Sequence, residues 1–132
     1  MLSVVQRNIM AKDHLTSLII SCAMEVHSQL GPGLLESAYQ QCLAHEMHLS
    51  ELEFKVEHPS PLRYKDVLLD CGYRLDFLVQ EEVIVELKSV EEVLPIHQAQ
   101  ILTYMKLAEV STGLLLNFNV KKLTEGIKRF KL

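Results

Sequence analysis

Apolar residues recur at helical spacing from Lys12 to Leu30. Leu15, Leu18, Ile19, Cys22, Ala23, Val26 and Leu30 form one stripe at the 3.6-residue period. Asp13 is placed to cap the start of this helix. Gly31-Pro32-Gly33 stops it, because glycine caps and proline cannot continue the hydrogen-bond ladder. A second amphipathic pattern runs from Leu34 to Leu49, with Leu35, Ala38, Tyr39, Cys42, Leu43 and Leu49 along one side.

The pattern then changes to strands. Leu52 to Tyr64 reads as strand, turn, strand, broken at His58-Pro59-Ser60-Pro61. Val67 to Leu69 extends the second strand or starts another. Tyr73–Val79 and Val83–Ser89 are two apolar, β-branched runs around the polar Gln80-Glu81-Glu82. Pro95 to Leu107 is a third amphipathic helix with proline in its first turn. Thr112 to Phe118 is a buried strand, and the chain closes on a short strand or irregular tail. The order α-α-β-β-β-β-α-β predicts an α/β fold, a mixed sheet flanked by helices.

Three charges interrupt the central strand pair: Asp76, Glu86 and Lys88. Side chains alternate along a strand, so Glu86 and Lys88 share one face with Ile84. By the same rule Arg74, Asp76 and Leu78 share a face, and Leu75, Phe77 and Val79 take the other. Register decides what Asp76 meets. A loop of Gln80-Glu81-Glu82 sets Val79 opposite Val83 and Asp76 opposite Glu86. A loop shifted by one residue sets Asp76 opposite Lys88, but it expels Val83, a good strand residue. The first register is the expected one.

Two facing carboxylates repel unless a positive group lies between them. One reading is a structural ion network, with Arg74 and Lys88 neutralising the acids. The other is a divalent-cation site. Two carboxylates with a carbonyl or waters suit Mg²⁺, with Mn²⁺ as a substitute. A lysine beside such a site would orient water or stabilise a phosphate oxyanion.

Composition narrows the class without deciding between these readings. At 132 residues the chain is expected to form one domain. Its 48% hydrophobic and 23% charged content is that of a globular protein. No apolar run approaches the roughly 18–20 residues that span a bilayer, and the N-terminus lacks the order of a signal peptide, so a cytoplasmic location is expected. The three scattered cysteines form no CxxC pair and argue against a disulfide framework or zinc ribbon. A net charge of −4 counts against a general nucleic-acid binder, although five of the thirteen Lys and Arg residues lie in the C-terminal VKKLTEGIKRFKL.

Asp76 followed by Glu86-Leu87-Lys88 resembles the D…ExK pattern of the PD-(D/E)xK nuclease superfamily. Gly33–Tyr39, GLLESAY, is similar to the GxxExxY signature of a family of small proteins assigned to that superfamily. GYRLDFLV, VIVELKSV, HQAQILTYMKL and GLLLNFNV resemble its other segments, so that the likeness runs from about Leu15 to Phe130.

The resemblance implies a restriction-endonuclease-like core of α-β-β-β-α-β order with an extra N-terminal helix. It implies metal ligation by Asp76 and Glu86, with Glu36 as an additional acidic residue at the metal. It implies a catalytic lysine at Lys88 and a QxxxY element at Gln100 and Tyr104. The implied reaction is Mg²⁺-dependent hydrolysis of nucleic-acid phosphodiesters, DNA or RNA. Leu75 stands where proline often precedes the aspartate. Ordinary roles remain open for each residue: core packing for Tyr39, a solvated helix acid for Glu36, a polar pair on one helix face for Gln100 and Tyr104. The competing reading is a nuclease-fold binding or interaction module without catalysis. It would act as a homo-oligomer or with a partner protein that supplies a basic surface.

Overall fold

The computed structural model describes the backbone of residues 1–132 and the side chains of all but residues 8, 9, 11 and 12. Helix α1 spans Val4–Leu30 and helix α2 Glu36–Leu49. Strands β1 (Phe54–Pro59), β2 (Leu62–Tyr64), β3 (Val67–Leu69), β4 (Arg74–Val79) and β5 (Val83–Lys88) follow. Helix α3 (Pro95–Ala108), strand β6 (Thr112–Asn117), a 3-10 turn (Leu123–Gly126) and strand β7 (Ile127–Lys131) complete the chain. The main sheet has the order β1-β4-β5-β6-β7, and β2 and β3 form a separate ribbon. β5 and β6 run parallel, joined by the α3 crossover, and the other neighbours are antiparallel. This is the mixed, helix-flanked sheet expected from the sequence.

Helix α1 begins well before Lys12, and Asp13 is not its cap. Ser3 caps it instead: Ser3 Oγ accepts from the Gln6 N–H at 3.1 Å, and the Ser3 N–H donates to Gln6 Oε1 at 2.9 Å. Val4, Val5 and Met10 are exposed, so the described apolar residues of this first part of the helix form no buried stripe. Asp13 lies inside the helix, where its carbonyl accepts from the Thr16 and Ser17 hydroxyls. At the far end Gly31, with φ +66° and ψ −170°, takes a positive-φ conformation that favours glycine and turns the chain out of the helix. α2 starts at Glu36, because Leu34 and Leu35 remain outside the helix. Leu35 and Leu49 are exposed, contrary to the expected stripe, and Met47 is buried beside Tyr39 and Leu43.

The sheet has a core on each side. Phe77, Val79, Val83, Val85, Leu87, Leu114, Leu116 and Phe118 pack against Leu15, Ile19, Val26, Tyr39 and Leu43 of α1 and α2. On the opposite face Leu75, Leu78, Ile84 and Leu115 pack against Ile101 and Met105 of α3. Each such large side chain stabilises the fold by about 1.5–3 kcal/mol. Leu75 corrects the alternation argument. It shares its core with Leu78, three positions on, rather than with Phe77, so the alternation of β4 slips at Asp76.

Candidate active site

The β4–β5 hairpin has the register that keeps Val83 in its strand: Val79 faces Val83 and Phe77 faces Val85. Gln80 and Glu81 adopt positive φ (50° and 57°), which closes the three-residue loop. The regular pairing ends at Phe77, one residue before Asp76. There the carboxylates replace the ladder. The Asp76 N–H donates to Glu86 Oε1 at 3.1 Å, and the Leu87 N–H donates to Asp76 Oδ2 at 2.8 Å. Two acids thus hold the strands together where main-chain carbonyls ordinarily would.

On the other side of β4 the pairing with β1 skips the same level. Val56 pairs with Phe77 and His58 with Leu75, and Glu57 between them sits at φ +51°. A left-handed residue within a strand bends it. Both neighbours of Asp76 therefore depart from regular sheet, which accounts for the slip in alternation.

A cleft of about 550 Å³ opens at this irregularity. Leu34, Glu36, Ser37 and Gln40 from the start of α2, Glu57 from β1, Asp76 from β4, and Leu87 and Ser89 from β5 line it. Glu36 is exposed at the first position of α2, and its Oε1 accepts from the Ser89 N–H at 3.4 Å. Glu57 accepts from Gln40 Nε2 at 2.7 Å. Glu36 and Asp76 thus line one cleft, with Glu86 bonded to Asp76 from the adjacent strand. Glu57 is a further acid there. Its reach depends on the β1–β4 register, and no motif in the sequence marks it.

The electrostatics follow chiefly from burial. Burial pushes the Glu86 carboxyl up to about 9. The Asp76 charge adds to the rise, and the Lys88 charge opposes it. Burial also raises Asp76. The Leu87 N–H and the hydrogen bond with Glu86 offset this in part, while the charges of Glu57 and Glu36 add to it. Burial and mutual repulsion thus push both carboxyls toward their neutral forms. Neither Arg74 nor Lys88 closes an ion pair with these acids among the described residues. Arg74 instead reaches Asp70 at 3.8 Å and donates to the Tyr73 carbonyl at 3.0 Å. Among the described residues the acids are therefore not neutralised by direct ion pairs, contrary to the ion-network reading. Lys88 is half-buried one turn of alternation beyond Glu86, and its main-chain carbonyl accepts from the Phe118 N–H at 2.9 Å.

Gln100 and Tyr104 lie across the sheet. They line a separate, mostly apolar groove with Leu62, Tyr73, Ile96 and Leu107. The Tyr104 ring is 6.1 Å from that of Tyr73. Burial raises the Tyr104 phenol, and the charges of Glu86, Tyr73 and Asp76 add to it, so Tyr104 approaches the acids from the α3 side. Gln100 is exposed, in a groove that none of the acids lines. Buried Asn117, not singled out from the sequence, fixes the exit of β5. Its Oδ1 accepts from the Val90 N–H at 3.1 Å and its Nδ2 donates to the Val90 carbonyl at 2.9 Å.

No three acid, histidine or cysteine groups among the described residues form a ready-made cation cage. The donor chemistry nevertheless fits a hard cation: two adjacent carboxylates close no ion pair among the described residues, and a third and fourth line the adjoining cleft. Mg²⁺ needs only one or two carboxylates and keeps its waters.

A mixed sheet whose irregular central hairpin presents Asp76 and Glu86-Leu87-Lys88 beside a cleft defines a nuclease-like architecture. The family model of the PD-(D/E)XK nuclease superfamily matches residues 13–130, and the chain belongs to that superfamily. Comparison with curated proteins and with solved structures gave no match. No helix among the described residues is long and apolar enough to cross a membrane.

Proposed function

We propose that the protein is a Mg²⁺-dependent nuclease of the GxxExxY type. The observation that carries this is the Asp76–Glu86 pair, two carboxylates bonded across the hairpin with neither Arg74 nor Lys88 in ion-pair contact with them. Asp76 and Glu86 hold the cation, and Glu36 holds it directly or through water. Mg²⁺ bound there supplies polarisation of the phosphodiester and a water of lowered pKa. Lys88 orients the attacking water or neutralises charge gathering on the phosphate. Water adds across one P–O bond, leaving a phosphate monoester on one product and a hydroxyl on the other. Tyr104 and Gln100 line the opposite groove and act on substrate contacts rather than on the cation.

The test is cleavage of labelled single- and double-stranded DNA and RNA in Mg²⁺, in Mn²⁺ and in chelator. Cleavage that needs the ion and is lost in Asp76→Asn and Lys88→Ala supports the reading. Ion-independent cleavage, or none with any substrate, contradicts it.

A second reading is a nuclease-fold module that works with a protein partner. The β2–β3 ribbon favours it: Tyr64, Val67, Leu68 and Leu69 are all exposed.

A further inference from the structure

Tyr39 is fully buried, and its ring stacks on Phe118 with centroids 4.5 Å apart and planes 13° apart. The ring is accounted for by packing. The hydroxyl makes a separate pair of bonds. It donates to the Gly31 carbonyl at 2.5 Å and accepts from the Leu34 N–H at 3.2 Å. Both partners lie in the short connection between α1 and α2. From the other side, Ser89 Oγ donates to the Leu34 carbonyl at 2.6 Å. Leu34 is therefore held at its N–H by one hydroxyl and at its carbonyl by another.

Two residues later Glu36 opens α2. That helix end has no side-chain cap, since its N-cap is Leu35. The direction of its first turn is consequently set by the held connection. Glu36 accepts from the N–H of Ser89, the residue whose hydroxyl holds Leu34. Ser89 directly follows Lys88, and it lines the cleft with Glu36 and Asp76.

We infer that Tyr39 and Ser89 are positioning residues whose hydroxyls clamp Leu34 and so hold the Glu36 carboxylate over the Asp76 cleft. The chemistry at the cleft rests on the proposed cation site. The clamp itself is a feature of the metal-free protein.

Tyr39→Phe keeps the stacked ring and removes one arm, and Ser89→Ala removes the other. In metal-free ¹³C-labelled protein, both variants should move the Glu36 carboxyl resonance toward that of a solvated glutamate. In Mn²⁺ titrations of the full chain, each should weaken binding roughly 10-fold, the lower end for loss of an outer-shell partner. Glu36→Gln should match that loss, and the Tyr39→Phe/Glu36→Gln double variant should bind no more weakly than Glu36→Gln alone.

Wild-type resonance and affinity in the folded single variants would overturn the clamp. So would a double variant weaker by the product of the two losses. If Tyr39→Phe does not fold, Ser89→Ala carries the test. Unfolding of both would assign the hydroxyls to stability alone and overturn the inference. If the wild-type chain binds no Mn²⁺, the cation site fails, and the metal-free Glu36 resonance still decides the clamp.

Discussion

The N–H of Asp76 donates to the side chain of Glu86 at 3.1 Å, so a carboxylate from one strand serves as the main-chain acceptor of its neighbour. With Asp76 Oδ2 taking the Leu87 N–H in return, the acids are part of the fold's hydrogen bonding as well as the candidate cation ligands. Substitutions here therefore have to separate charge from hydrogen bonding.

Asp76→Asn does so. The amide oxygen can still accept from Leu87, while the charge that raises Glu86 disappears. In chelator the variant should melt no lower than wild type. Wild type should melt higher in Mg²⁺, because a ligand that binds only the native state stabilises by mass action. The variant should lose that gain. A marked drop in its chelated melting temperature would mean that Asp76 balances a buried positive charge.

The raised pKa of Glu86 makes metal-free stability depend on pH. The unfolded carboxyl loses its proton near the ordinary glutamate value of 4.5, and the folded one keeps it up to about 9. Between these values unfolding releases a proton. The stabilisation is fully present below the lower value and is lost as pH rises through the upper one. Stability in chelator should fall from pH 5 to pH 9, with a slope of at most about 1.4 kcal/mol per pH unit for one proton. Glu86→Gln should flatten the profile. Denaturant titrations across that range check this, and a wild-type profile as flat as that of the variant would contradict it.

Lys88→Ala should abolish cleavage and leave divalent-ion affinity within about 2-fold, since an ammonium is never a metal ligand. Calorimetric titration beside the cleavage assay separates the two effects. Because Lys88 closes no ion pair with Asp76 or Glu86 among the described residues, the variant should also fold. A variant that fails to fold would make Lys88 a structural counter-charge.

Much of the frame was legible in the sequence. The stripe from Leu15 to Val26, the break at Gly31 and the apolar runs of β4 and β5 record burial directly. The preference for keeping Val83 in its strand gave the hairpin register. Other features depend on contacts that no local pattern encodes. The start of α1 is marked only by Ser3 and Gln6, because its exposed Val4, Val5 and Met10 make no stripe. The face of Leu75 depends on a slip that arises where Glu57 and Asp76 both leave the ladder. Glu57 joins the cleft through its pairing level and its left-handed backbone. Gln100 and Tyr104 share a helix face as their spacing requires. The rotation of that helix on the sheet leaves Gln100 exposed in a groove away from the cleft.

Gly126 tests how firmly the end of β6 is built. A Cβ there would lie 2.1 Å from the Asn117 carbonyl oxygen, a main-chain atom that cannot move without shifting the strand. Asn117 in turn fixes Val90 beyond Lys88. Gly126→Ala should destabilise the protein by about 1–3 kcal/mol, as overpacking does, and should also lower cleavage. Denaturant unfolding measures the first, and unchanged stability would show that the turn relaxes freely.

The cation site is tested most directly by a crystal of the protein soaked in Mn²⁺ and measured for anomalous scattering. The predicted result is a peak between the Asp76 and Glu86 carboxylates, within about 2.0–2.3 Å of an oxygen of each, with Glu36 bound to it directly or through one water. A soaked crystal with no peak there, and with Lys88 or Arg74 bonded to the two acids, would contradict the account.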